Sequence, residues 1–151
     1  PAAVGAGVTG VLRNDIDSKS LNLVGDIFES CGLMFFLENE DSFKNEDFID
    51  KVTAVSGSGP GFVFYMLEAM QKAAMNLGFS EEDANKMVRE TFKGSLALAE
   101  HSSKEFADLR KDVTSKGGTT EAGLKVLSTD NVLEKLFSDA IQAAYKRSIE
   151  L

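Results

Sequence analysis

Between Phe48 and Leu77 apolar residues fall at nearly every helical position: Ile49, Val52 and Val55, then Phe62, Val63, Phe64, Met66, Leu67 and Met70. A helix with one apolar stripe can lie on the surface of a domain, but one that is apolar on every side must be surrounded by protein. A chain of 151 residues has little else to surround it with. A second copy is therefore expected to supply part of the cover. This one segment predicts a mainly α chain that pairs with a second copy of itself.

The residues before it follow a different rhythm. Val8–Leu12 reads as a short strand ended by Arg13, Asn14 and Asp15. From about Ser18 to Cys31, apolar Leu21, Val24, Ile27, Phe28 and Cys31 recur at helical spacing. Gly32 is placed to stop that helix in a left-handed conformation. Leu33–Leu37 reads as a buried strand. Such a β-α-β unit cannot cover both faces of its sheet, so it is expected to be the end of an α/β domain begun upstream. The chain starts at Pro1 rather than methionine and is read as a fragment. The acidic stretch 38–47 is expected to be a linker or the lead-in to a helix. The expected division is 1–43 for the α/β remnant and 44–151 for an all-α domain. Within the latter, Ser80 with Asp83 forms a capping box, and Phe106 to Val113 makes a short helix. Thr119 or Thr120 caps the next helix, and Asn131 with Glu134 caps the last.

Charge removes some functions. With 16 basic against 24 acidic residues the net charge is −8. No basic cluster is longer than two residues, so the surface cannot displace counterions from nucleic acid. No apolar run approaches the ~20 residues that span a bilayer, and no signal peptide is visible. A single cysteine, Cys31, forbids an intrachain disulfide. A cytoplasmic setting is expected, without nucleic-acid or membrane partners. One histidine, His101, makes zinc ligation and a Ser-His-Asp triad poor options, and no metal site is expected. His101 reads as a solvated or capping residue, Cys31 as a core residue, and Met66, Met70 and Met75 as core filling.

Three glycine clusters remain. Gly5-Ala6-Gly7-Val8-Thr9-Gly10 has the G-x-G-x-x-G spacing of dinucleotide sites, but no strand precedes it and no helix opens on its last glycine. It is read as turns and close packing. Ser56-Gly57-Ser58-Gly59-Pro60-Gly61 is either a helix break restarted by Pro60 or a patch where another backbone approaches closely. Asp112-Val113-Thr114-Ser115-Lys116-Gly117-Gly118-Thr119-Thr120 joins two helices. It is either ordinary helix ending and capping, or an anion site. In the second case the amides of a helix start, two glycines, two hydroxyls and the Lys116 charge would all serve one carboxylate or phosphate.

Two of these clusters carry a resemblance. Val52-Thr53-Ala54-Val55-Ser56-Gly57-Ser58-Gly59-Pro60-Gly61-Phe62-Val63-Phe64 is similar to the V-T-A-V-S-G-S-G-P-A-Y-V-F segment of pyrroline-5-carboxylate reductases. Leu109 to Leu124 resembles that family's L-R-x-x-V-T-S-P-G-G-T-T-x-A-G-L signature, and Pro1 to Gly5 resembles the tail of its M-P-N-T-P-A-x-V-G motif. The resemblance implies a Rossmann domain binding NADPH or NADH, mostly outside this chain, followed by a helical dimerisation domain with helices interlocking with those of a second subunit. It implies a homodimer, further assembled as a ring of dimers such as a decamer. The implied reaction is hydride transfer to the imine carbon of 1-pyrroline-5-carboxylate, giving L-proline, the last step of proline biosynthesis. Ser115 and the backbone N–H groups of Gly117, Gly118 and Thr119 would hold the substrate carboxylate. Thr120 would hydrogen-bond the ring nitrogen as the catalytic residue, and Asp112 and Val113 would lie near the nicotinamide.

Three departures stand out: Lys116 for the usual proline, Gly61 for alanine, and Lys51 for a small residue. Lys116 is expected to aid carboxylate capture, and the other two to affect helix packing. The fragment alone is expected to be inactive, since it lacks the phosphate-binding fingerprint. The alternatives are another NAD(P)-dependent imine or hydroxy-acid reductase of the same superfamily, or a structural homodimerisation module. The Ser115–Thr120 loop argues against the first. An upstream sequence without a strand-G-x-G-x-x-G-helix unit would favour the second.

Overall fold

The computed structural model describes residues 1–12, 17–37 and 45–151. The expected strand stop at 13–15 and residues 38–44 of the acidic stretch lie outside them. The described elements are β1 (Gly7–Leu12), α1 (Ser18–Glu29), β2 (Gly32–Leu37) and α2 (Asn45–Val52), then α3 (Gly59–Asn76), α4 (Glu81–Glu100), α5 (Phe106–Asp112), α6 (Thr119–Ser128) and α7 (Val132–Ile149). The chain is mainly α, with one two-stranded parallel sheet. It divides into two compact units, 1–62 with 138–151, and 63–137.

The first unit holds the sheet. β1 and β2 pair in parallel from Gly7 opposite Gly32 to Leu12 opposite Leu37. The pairing needs both glycines at its start. A Cβ on Gly32 would lie 2.1 Å from the Gly7 carbonyl oxygen, and the residue sits at φ +137°. Gly32 therefore opens β2, and α1 has already ended at Glu29 with Ser30 as its cap. The G-x-G-x-x-G spacing resolves as expected for turns and packing: Gly5 turns at φ +71° and Gly7 to Gly10 lie in β1. Asp17 opens α1, its carboxylate accepting from the amides of Lys19 and Ser20, each at 3.0 Å. The Ser20 hydroxyl and amide hold the Asp17 carboxyl below its usual range.

α2 packs on β1 where Gly10 leaves room; a Cβ there would be 3.3 Å from the Val52 methyls and 3.5 Å from Ile49. α7 returns to α2. The Tyr145 hydroxyl donates to Asp47, and Ser148 Oγ donates to Asp50 at 2.5 Å. Lys51 pairs with Asp47 at 2.6 Å, and that bond, followed by Tyr145, holds the Asp47 carboxyl low. Between α2 and α3, residues Thr53–Gly57 form one π-helical turn, closed by Ser58 N–H donating to the Thr53 carbonyl at 2.9 Å. The apolar segment is thus two helices joined by a wider turn, with Pro60 in the first turn of α3 as expected.

In the second unit Ser80 caps α4. Its hydroxyl oxygen accepts from Asp83 N–H at 3.1 Å. The Asp83 carboxylate accepts from that hydroxyl at 2.7 Å, so the reciprocal bond goes to the hydroxyl and not to the Ser80 amide. His101 caps the other end of α4, with Nδ1 2.8 Å from the Ala97 carbonyl. Asn131 does not behave as the expected cap of α7. It and Asp130 both sit at φ +53°, not in the extended conformation of an N-cap.

Few apolar side chains are fully out of water. Among the described residues only Ala54, Ala84 and Val88 are buried hydrophobics, while Phe64 is 66% exposed, Leu96 60% and Phe106 77%. Monomeric proteins rarely expose large contiguous apolar patches, and such patches mark interaction sites. No described helix is long and apolar enough to cross a membrane.

Candidate functional site

The 112–120 segment is anchored at both ends and open in the middle. α5 ends with Arg110 and Lys111 in its last turn, where cations complement the helix dipole. Thr114 then ties the chain down, its hydroxyl donating to the Arg110 carbonyl at 2.6 Å and its amide to Lys111 at 3.0 Å. Gly118 N–H donates to the Ser115 carbonyl at 3.0 Å, closing a turn in which Gly117 takes φ +73°.

Helix α6 opens directly from this turn. Its cap is Gly118, which has no side chain to offer, so neither Thr119 nor Thr120 is the cap; they are its first two residues. The first amides of a helix have no partner within it. Among the described residues, those of Thr119 and Thr120 have no acceptor. Glu121, third in the helix, turns its carboxylate back and accepts from Gly117 N–H at 2.8 Å. Gly117 and Gly118 thus have their amides engaged, and Thr119 and Thr120 have theirs open.

Ser115 belongs to the same cluster. A Cβ on Gly118 would stand 2.4 Å from Ser115 Oγ, so this hydroxyl lies against the glycine backbone at the mouth of the helix. Beside it, Thr120 and Val113 line one open groove of about 360 Å³ with Leu96, Phe106, Leu109 and Leu124. The groove is chiefly apolar, with Thr120, Ser95 and Arg110 as its polar members. Asp112 is not in this lining; it pairs with Lys104 at 2.6 Å. Lys116 is exposed, with no ion partner among the described residues.

The structure therefore brings Ser115, Gly117, Gly118, Thr119 and Thr120 together at one helix start. Val113 is in the adjoining groove and Asp112 is turned to Lys104. Sequence reasoning missed Glu121 and Lys104. The first had a signal, an acid at the third helical position, hidden by placing the cap on a threonine. The other glycine cluster, Ser56–Gly61, uses its backbone internally, through the π turn and Gly61 N–H donating to Ser58 at 3.0 Å. Gly61 has nothing within 4 Å of a Cβ among the described residues, so the alanine usual in the resembled segment would fit. No group of three or more metal-ligating side chains occurs among the described residues.

A family model, pyrroline-5-carboxylate reductase dimerisation, matches residues 46–151. The chain is 38% identical to the pyrroline-5-carboxylate reductase of Staphylococcus aureus (strain COL) over 151 residues, which is 99% of this chain and 53% of that protein. The chain thus spans about half the length of the curated relatives it matches. The solved pyrroline-5-carboxylate reductase of Coxiella burnetii superposes with a TM-score of 0.87 at 38% identity, over 98% of this chain and 53% of that one. The Plasmodium falciparum pyrroline carboxylate reductase, crystallised with NADP bound, superposes with a TM-score of 0.82 at 30% identity, over 98% and 57%. On the family match and these likenesses, the chain belongs to the pyrroline-5-carboxylate reductase family and carries that family's dimerisation domain.

Proposed function

We propose that the full-length protein carrying this chain reduces 1-pyrroline-5-carboxylate to L-proline with NADPH or NADH. In this reading residues 44–151 supply the dimer interface and the substrate-binding site. Residues 1–43 are the end of the nucleotide-binding domain; the family match beginning at residue 46 supports that boundary. The observation that carries the reading is the uncapped start of α6 beside the apolar groove. A substrate with a carboxylate on a small apolar ring needs an anion site next to an apolar wall.

Open amides at a positive helix end serve the carboxylate, and the Ser115 hydroxyl adds a donor. Gly117 and Gly118 form the turn that brings a ligand close to this backbone. The Thr120 hydroxyl would hydrogen-bond the ring nitrogen and fix which face of the imine is presented. Val113, with Asp112 at its side, would border the nicotinamide. The residues present do not cradle the cofactor's phosphates: Gly10, last of the G-x-G-x-x-G spacing, is covered by Val52 and Ile49. NAD(P)H, which supplies the hydride, would be held mainly by residues outside this chain. The exposed apolar helices support a homodimer; further assembly as a ring of dimers and a cytoplasmic setting belong to the same reading.

The test is NADPH and NADH consumption by the full-length protein on adding 1-pyrroline-5-carboxylate. Rapid consumption is expected, and Thr120→Ala is expected to lower kcat/KM roughly a hundredfold, the scale for one lost donor at a reacting group. No consumption with either nucleotide would discard the substrate. An unchanged Thr120→Ala would discard the role of that hydroxyl.

A further inference from the structure

Glu121 plays no part in the reading above, yet it is the one carboxylate that reaches into the candidate site. Its Oε2 accepts from Gly117 N–H at 2.8 Å, and its side chain is only 35% exposed. Lys125, one turn along α6, approaches the same oxygen at 3.9 Å. An anion here could do one of two things. It could occupy the place of the substrate carboxylate, or it could brace the loop that forms the place.

The geometry favours a brace. The bond it makes is to Gly117, which lies outside the helix, while the amides of Thr119 and Thr120 stay open. Gly117 holds φ +73°, and the turn it makes is closed by Gly118 N–H on the Ser115 carbonyl. That turn sets Ser115 Oγ against Gly118 at the mouth of the helix. A bond that fixes Gly117 therefore fixes the Ser115 hydroxyl against Gly118, where α6 opens. An acid in the first turn of a helix is also favourably placed against the helix dipole, so the brace is stable with no ligand's help.

We infer that Glu121 is a positioning residue for the carboxylate site: it fixes the Ser115–Gly118 turn through the Gly117 amide and leaves substrate binding to Ser115, Thr119 and Thr120. The inference rests on the proposed function for the identity of the carboxylate. Its effect belongs to binding and not to hydride transfer, because Glu121 touches neither the groove nor Thr120 Oγ1. The acceptor matters more than the charge, so glutamine serves in its place.

The experiment compares full-length Glu121→Ala and Glu121→Gln with the parent, by steady-state kinetics in 1-pyrroline-5-carboxylate and by millisecond hydrogen exchange of the peptide spanning 113–121. Glu121→Ala is expected to raise KM about tenfold with kcat within twofold, a single lost positioning contact being worth about one such factor. Its loop exchange is expected to accelerate. Glu121→Gln is expected to keep both within twofold of the parent. A lower KM in Glu121→Ala would show a competitor for the carboxylate and overturn the inference. So would an unchanged KM, or a glutamine variant as impaired as the alanine one. If the parent reduces nothing, the proposed function fails. The exchange arm still decides the brace: equal exchange in the parent and Glu121→Ala overturns it.

Discussion

Helices α4 and α6 begin in opposite ways. α4 is closed by its own side chains, with Ser80 accepting from the Asp83 amide and donating to the Asp83 carboxylate. α6 begins on a glycine with no side-chain bond, and its one acidic side chain reaches past the helix to Gly117. Both starts contain hydroxyls and an acid. The difference lies at the third amide: at α4 the Asp83 N–H is met by Ser80, at α6 the Glu121 N–H has no acceptor among the described residues, and the first two amides are open at both. Open first amides are common to helix starts; what α6 adds is a glycine cap with Ser115 Oγ against it. The contrast separates structural starts from a candidate binding start without reference to composition.

The contrast can be broken most forcefully by filling the open start. Gly118→Val puts a branched side chain where a Cβ already meets Ser115 Oγ at 2.4 Å. The full-length variant is expected to lose at least about a hundredfold in kcat/KM, the scale of an ångström-sized displacement in a site. Its thermal midpoint should move little. A large fall in the midpoint with kcat/KM preserved would make the α6 start structural after all.

The converse change is at α4. Ser80→Ala is expected to cost about 1 kcal/mol of stability, as lost caps do, with kcat/KM unaltered; denaturant unfolding beside kinetics reads both. The smallest effect separates two closed starts. α1 is capped by a carboxylate, Asp17, whose folded value is lowered by the Ser20 hydroxyl and amide. Its contribution is therefore full above the ordinary carboxylate value and is lost as pH falls through the lowered one. Exchange protection of α1 should weaken below about pH 3.8, whereas the Ser80 cap makes its amide bond with a hydroxyl that does not titrate. Equal acid sensitivity of the two helix starts would remove that distinction.

Much of this was legible in the residues. The 3.6-residue rhythm of Leu21, Val24, Ile27 and Phe28 gives α1, and the apolar run at Leu33 gives β2, each within a residue or two. The site loop is contiguous in the chain, so it could be located before any fold was known. Three things could not be read. The π turn at Thr53–Gly57 differs from an α turn by one step of hydrogen-bond register, and no periodicity distinguishes them at that length. The ties of Asp47 to Tyr145 and Asp50 to Ser148 cross 98 residues of sequence. Gly118 as a cap was hidden because Thr119 and Thr120 offer capping hydroxyls beside it, while glycine caps about as often as threonine without leaving a side-chain signal.

The near absence of buried apolar side chains has a consequence for how much of this protein a cell must make. Among the described residues only Ala54, Ala84 and Val88 are fully buried hydrophobics, while side chains such as Phe64 and Phe106 stand in water, and in the homodimer proposed above a partner supplies part of their cover. To the extent that this cover comes from the partner, folding and pairing are coupled, and the yield of folded protein depends on how often two copies meet. Halving the supply of chains then lowers the amount of folded protein by more than half, towards a quarter once copies become scarce. Chains that find no mate are left to chaperones and proteases rather than kept in reserve.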